Sequence, residues 1–404
     1  MKKAVCVLLS ALMAASLIGC KKEEETTEKT RKKVAKEEAV EDEEDSTDEE
    51  NTEEDLTDED TDTVTGDGIP ISSINFPDGK FCEYIKENFD TNGDGALSED
   101  EIAEVKEIRF NASDVQYDPE PKEVSLDGIE YLTELETLVV LNASLSSTEF
   151  PDNRKLITLC FSNCPMTSLD TSDLQSLEKL IVENCGLTEL ILDNPNLERL
   201  SCMSNDLPDL DLSGCPNLDY LHCAYNGFHE LDLSGAPNLT FLNCSGNMLH
   251  SLDLTAVPNL TGLNMWQTNI SSIDLSVCPD LESFACSDSP ITSIDLSGNT
   301  KLQSLDVQFC EIASLDVSVC PDLYRLDIVN TDITSIDIST NTKLAYMYCD
   351  GSLITSLDIS NCPILVNLVK TGERTDMSDG RTVWDDANGE AQLMLDSVVE
   401  LIYS

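Results

Sequence analysis

Residues 216–236 read PNLDYLHCAYNGFHELDLSGA, and this frame returns along most of the chain. The first half, L-x-x-L-x-C, puts apolar side chains on alternate positions, as a half-buried strand requires, and the second half, L-D-L-S, does so again. The leading leucine recurs at Leu135, Leu156, Leu177, Leu197, Leu218, Leu239, Leu260, Leu281, Leu302, Leu323, Leu344 and Leu365. The step is 21 residues throughout, except for 20 between Leu177 and Leu197. A fixed period of this length dictates a solenoid in which each coil touches only its neighbours. One coil cannot bury its apolar face alone; a stack of them can.

Reading the period as columns gives most residue types a place. Cys202, Cys223, Cys244, Cys286 and Cys349 fall at the inward strand position that other coils fill with Val182, Met265, Val307 and Ile328. A free cysteine there behaves as a small hydrophobe. Cys215, Cys278, Cys320 and Cys362 fall in the turn. No C-x-x-C pair or cysteine–histidine spacing for zinc is present, so reduced thiols are the expectation, with disulfides the alternative in an exported protein. After the first strand, Asn205, Asn226 and Asn247 share a column with Cys164, Cys185, Cys310, Thr268, Ser289, Thr331 and Ser352, each carrying a donor for the carbonyls of a buried turn. Asp170, Asp211, Asp232, Asp253, Asp274, Asp295, Asp316, Asp337 and Asp358 form an acidic column. It reads either as a cation ladder or, coil by coil, as caps on nearby backbone N–H groups, the second being preferred.

The frame resembles the leucine-rich repeat family from 135 to 371, and in particular a short bacterial type whose second half reads L-x-x-L-D-L-S, with an internalin-like architecture. The resemblance implies about 12 coils of mainly parallel β-structure, two strands per coil, and a sheet that recognises a protein or peptide.

Upstream, Lys2 and Lys3 precede an apolar run from Ala4 to Ile18 that ends at Gly19-Cys20. The run is too short to remain in a bilayer. It resembles a lipoprotein signal (1–19), which makes Cys20 the acylated N-terminus on a lipid membrane. The expected address is extracytoplasmic, at the surface of a bacterial cell. Residues 20–67 read as a disordered linker, since Glu37 to Asp62 holds 17 acidic residues and no basic one.

Within 68–110, the stretch from Asp90 to Glu101 fits a twelve-residue EF-hand loop. Asp90, Asn92 and Asp94 stand at positions 1, 3 and 5, Ala96 offers a carbonyl at 7, Ser98 stands at 9, and Glu101 closes at 12 around calcium. Phe81, Ile85 and Phe89 predict a helix before the loop; Ile102, Val105 and Ile108 predict one after it. A plain capping box at Ser98 and Glu101 is the alternative. With a single loop, no partner is expected for the strand at Leu97. Residues 111–134 and 372–404 read as N- and C-terminal caps.

The 404-residue chain carries 78 acidic against 24 basic residues, a net charge of −54, which excludes nucleic acid as a partner. Three histidines and no nucleophile motif argue against an enzyme. Large side chains predicted to point outward from the first strands remain: Tyr220, His222, Phe241, Trp266, Tyr346 and Tyr348. They mark the candidate ligand surface for a protein or peptide. A stalk or envelope spacer without ligand, and a glycan-binding adhesin, are the alternatives. A monomer is expected.

Overall fold

Leu138 lies beside Leu159, Leu159 beside Leu180, and the column continues in parallel register through Leu200, Leu221, Leu242, Leu263, Phe284, Leu305, Leu326 and Met347. These residues come from a computed structural model that describes residues 68–113, 121–150 and 152–403. They form the spine of a 15-stranded sheet, one strand per coil, with the leading leucines buried behind it. The signal segment, Cys20 and the acidic linker lie outside the described residues.

The columns explain why the coils stack. Asn247 donates to the carbonyls of Cys223 (3.1 Å) and Cys244 (2.9 Å) and accepts from the N–H groups of Asn226 and Phe228 (3.2 Å each), so one buried side chain sews two coils together. Asn226 and Asn205 repeat the pattern. Thr268, Thr331 and Ser352 keep only the donor half, each bonding the carbonyl three residues back. All nine residues of the acidic column accept a bond from the N–H two residues on, at 2.9–3.0 Å. These are turns made by the aspartate side chain, as the coil-by-coil reading expects.

The expectation of two strands per coil is met only in part. Ladder-paired second strands occur at the ends of the solenoid: Lys122–Val124 with Ala143–Leu145, Ser168–Asp170 with Glu189–Ile191, and Ser356–Asp358 with Glu400–Ile402. In the coils between, the segment around the column aspartate runs without a ladder, although Asp170 and Asp358 make the same turn within paired strands.

Both ends depart from the expected boundaries. The helix after the loop, Glu99–Glu104, is short, and Ile108 belongs instead to the strand Glu107–Asn111, which pairs with Thr137–Leu141 as the first rung of the sheet. Buried Ile108 and Phe110 alternate with exposed Glu107, Arg109 and Asn111, so a period of two prevails over a helical one. At the other end Leu365 opens no coil. Pro363–Thr371 is a helix burying Leu365, Val366 and Leu368, started by a proline whose fixed φ suits the first turn. Beyond it Gln392–Asp396 pairs in parallel with Tyr346–Tyr348, and Arg381–Asp385 and Glu373–Asp376 complete an antiparallel edge.

Among the described residues no cysteine is in a disulfide, and all but Cys82 are buried. Burial pushes the thiols of Cys202 and Cys244 up to about 12, which keeps them protonated and inert.

Candidate functional site

A strand that buries Leu221 must turn Tyr220 and His222 to the other side, and the same alternation holds in every coil. The outward face of the sheet is therefore a set of parallel columns, and residues 21 apart become neighbours about 4.8 Å from each other. One column runs Lys179, Arg199, Tyr220, Phe241, Gly262. The Tyr220 and Phe241 rings stack with centroids 4.7 Å apart and planes 9° from parallel. The Arg199 guanidinium lies over the other face of Tyr220, 4.3 Å from its centroid. Phe241 leans across Gly262, where a Cβ would come within 2.8 Å of the ring. Only glycine leaves that room.

The neighbouring column runs Val139, Cys160, Ile181, Ser201, His222, Asn243. Its first three members form an apolar cluster apart from the main core, with Leu141 packed beside it. His222 faces outward as expected but is only 7% exposed, and burial lowers its pKa to about 4, so its imidazole is neutral at physiological pH. Ser201 donates to Glu183 at 2.5 Å, and burial raises the pKa of that carboxyl. The hydroxyl hydrogen of Ser201 thus goes to Glu183 and not to His222.

At the rim, Tyr225 meets Trp266 edge to face at 5.6 Å. Tyr225 and Phe309 hold φ values of 55° and 60°, the left-handed region that the equivalent Asn142, Asn163 and Asn184 tolerate more easily.

Not every expected surface residue belongs to this patch. Tyr346 stands six strands on from Tyr220, about 29 Å at the usual strand spacing. With Tyr348 it forms a second cluster: Tyr324 packs against Tyr346 at 5.2 Å, and Arg325 lies 4.8 Å over Tyr348. Sequence reading missed Arg199 and the apolar strip at Val139, Cys160 and Ile181. Aligning the coils column by column was the signal available for both.

In the loop, Asp90 accepts from the N–H groups of Gly93 (2.7 Å) and Gly95 (3.1 Å), Asn92 from that of Asp94 (2.8 Å), and Asp94 from that of Ala96 (3.0 Å). Glu101 accepts from Thr91 and Ser98, backbone and hydroxyl alike, at 2.8–2.9 Å. Burial works against its charge, but the bonds from Ser98 and Thr91 outweigh burial and hold its pKa down to about 2. The capping box is thus formed at Ser98. Ala96–Leu97 does have a partner, pairing antiparallel with Ile69–Pro70. The chain supplies its own second strand, which a search for a second loop could not reveal. The donors fit calcium in type and order and the backbone already makes the loop turns, yet the carboxylates are spent on N–H groups. Among the described residues no three acidic, histidine or cysteine side chains are gathered to hold a metal.

No family model and no curated protein matches the chain. Among solved structures it is similar to the functional domain of InlJ from Listeria monocytogenes, which includes a cysteine ladder. Identity is 21%, over 83% of this chain and 99% of that one, with a TM-score of 0.53. An internalin (inlF) from the same organism matches at 18% identity over 75% of this chain and 90% of its own, with a TM-score of 0.62. Likeness at this level speaks for the fold, and together with the columns it identifies the chain as a leucine-rich repeat β-solenoid.

Proposed function

We propose that the protein is a cell-surface recognition module, anchored through acylated Cys20, that binds a protein or peptide on the outward face of its sheet. The observation that carries this reading is the Arg199–Tyr220–Phe241 stack: a rigid, amphipathic patch held by the backbone beneath it. Rings fixed in this way lose little entropy on binding. The same stack disfavours a glycan platform, because a sugar needs a free ring face, and here one face of Tyr220 is under Arg199 and the other under Phe241. The acidic column offers no comparable surface, being uniform and strongly hydrated.

The test is capture from envelope and culture fractions. Replacing Tyr220, Phe241 and Trp266 together by Ser should reduce capture at least tenfold, with little change in thermal midpoint. Replacing Asp253, Asp274 and Asp295 by Asn should leave capture intact. The reverse result assigns binding to the other face, and no effect of either favours a stalk.

Calcium belongs to the proposal as a second site. Asp90, Asn92, Asp94, the Ala96 carbonyl, Ser98 and Glu101 would hold it, and Glu101 would have to exchange its bonds to Thr91 and Ser98 for the ion. Titration calorimetry should show calcium binding that Glu101→Ala abolishes; no heat with the unaltered chain removes the site.

A further inference from the structure

In a chain of net charge −54, an arginine on the proposed binding face without an acidic partner is out of keeping with its surroundings. Arg199 is such a residue. Among the described residues no carboxylate lies within ion-pair distance of it, and its contact is the Tyr220 ring. Several other cations on the solenoid are paired: Lys301 with Asp280 at 2.6 Å, Lys343 with Asp322 at 2.5 Å, Arg325 with Asp327 at 3.4 Å and Arg381 with Asp379 at 2.6 Å. A guanidinium lying flat on a ring is oriented but not neutralised, and its N–H edge stays available to an incoming acceptor. Lys179 stands directly beside Arg199 in the register of the column.

We propose that Arg199 is the receptor for a carboxylate of the peptide partner, and that the side chain next to that carboxylate lies along the edges of Tyr220 and Phe241. This rests on the reading of the sheet face as a recognition surface. A carboxylate fits better than a phosphate. It matches the guanidinium fork with two oxygens, and it brings one negative charge, not nearly two, into the field of a strongly acidic protein. The acid is either an Asp or Glu side chain or a chain terminus.

The probe is a library of random dodecapeptides with free C-termini, selected on the full chain. Enriched sequences are then synthesised in four forms: as selected, with each acidic residue amidated to Asn or Gln, with the C-terminus amidated, and with a phosphoserine replacing the acid. Enriched peptides should carry an acidic group next to an apolar or aromatic residue. Arg199→Gln should weaken them by about ten- to a hundredfold, the loss expected for one charge-assisted pair, while Arg199→Lys recovers part of it. The neutralised peptide should bind both proteins equally, and the amidated forms show which carboxylate is used. Peptides that bind the unaltered chain and Arg199→Gln alike overturn the carboxylate receptor but leave the recognition face standing. Tighter binding of the phosphoserine form overturns the choice of anion. Failure of any peptide to enrich removes the recognition face and this inference with it. The half-exposed position of Arg199 keeps both variants folded, which an unchanged thermal midpoint verifies.

Discussion

Replacing Asn247 by Ala should cost roughly 3–5 kcal/mol, far more than deleting one polar side chain from a surface. Asn247 is 4% exposed and serves five backbone groups in two coils: it donates to the carbonyls of Cys223, Cys244 and Ser245, and it accepts from the N–H groups of Asn226 and Phe228. Alanine leaves the Cys244 carbonyl and the N–H groups of Asn226 and Phe228 inside the turn without that partner, while the Cys223 carbonyl keeps its bond from Asn226 at 3.1 Å. Each buried group abandoned costs on the order of 1 kcal/mol or more. Serine at the same position should recover about half the loss. Ser352 shows how, donating at 2.6 Å to the carbonyl three residues back without supplying the acceptor half. Urea midpoints for the three proteins check the order. Hydrogen exchange should place the weakening in the coils around 223–268, since each coil rests only on its neighbours. An alanine variant within 1 kcal/mol of the parent would show that water replaces the asparagine.

Asp327→Asn should stabilise the protein at pH 8 and leave it unchanged at pH 4. Asp327 is 5% exposed and stands beside Asp306 in the next strand. Burial, and then the charge of Asp306, raise its pKa to about 7 against the opposing bond from Val329 and the pull of Arg325. An acid whose pKa is higher in the folded state favours folding while protonated. Its contribution is therefore full below about pH 4 and is lost as the pH rises from 4 to 7. The loss is on the order of 2–4 kcal/mol, reduced by the ion pair with Arg325 at 3.4 Å.

His222 complicates the profile of the parent protein. Its pKa is lowered to about 4, so it favours folding above its unfolded value and withdraws that support as the pH falls from about 6.5 towards 4. The two slopes oppose each other, and the raw curve is flatter than either. Subtracting the parent curve from that of Asp327→Asn isolates the aspartate. A difference that is constant with pH would mean that Asp327 stays ionised throughout.

The coil length, the inward leucines, the asparagine column and the aspartate turns were all legible in the sequence, because each is set by local geometry repeated every 21 residues. The two ends were not. Ile108 satisfies a helical face with Ile102 and Val105, and a strand with Phe110; the adjoining strand Thr137–Leu141 decides between them. Leu365 keeps the period, yet Pro363 and the apolar residues after it make a helix. For the surface, aromatic residues could be assigned a side but not a neighbour. His222 points outward as alternation requires and is nonetheless buried. Val139, Cys160 and Ile181 each stand between two apolar residues, so polarity does not tell which side of the strand is inward, and the strip they form on the outward face is seen only in the stack.

The hydrogen bonds that sew one coil to the next also set how the molecule responds to force. Among the described residues no strand pairs beyond its two neighbours, so tension applied at the two ends of the solenoid is not shared over all its coils. It falls on whichever terminal coil is least well held. When that coil yields, 21 residues pass from a compact turn to extended chain and release about 70 Å of slack. The load drops before the next coil is tested. The protein would therefore lengthen in repeated steps of nearly equal size, absorbing work at each one, and rewind from the coils that remain.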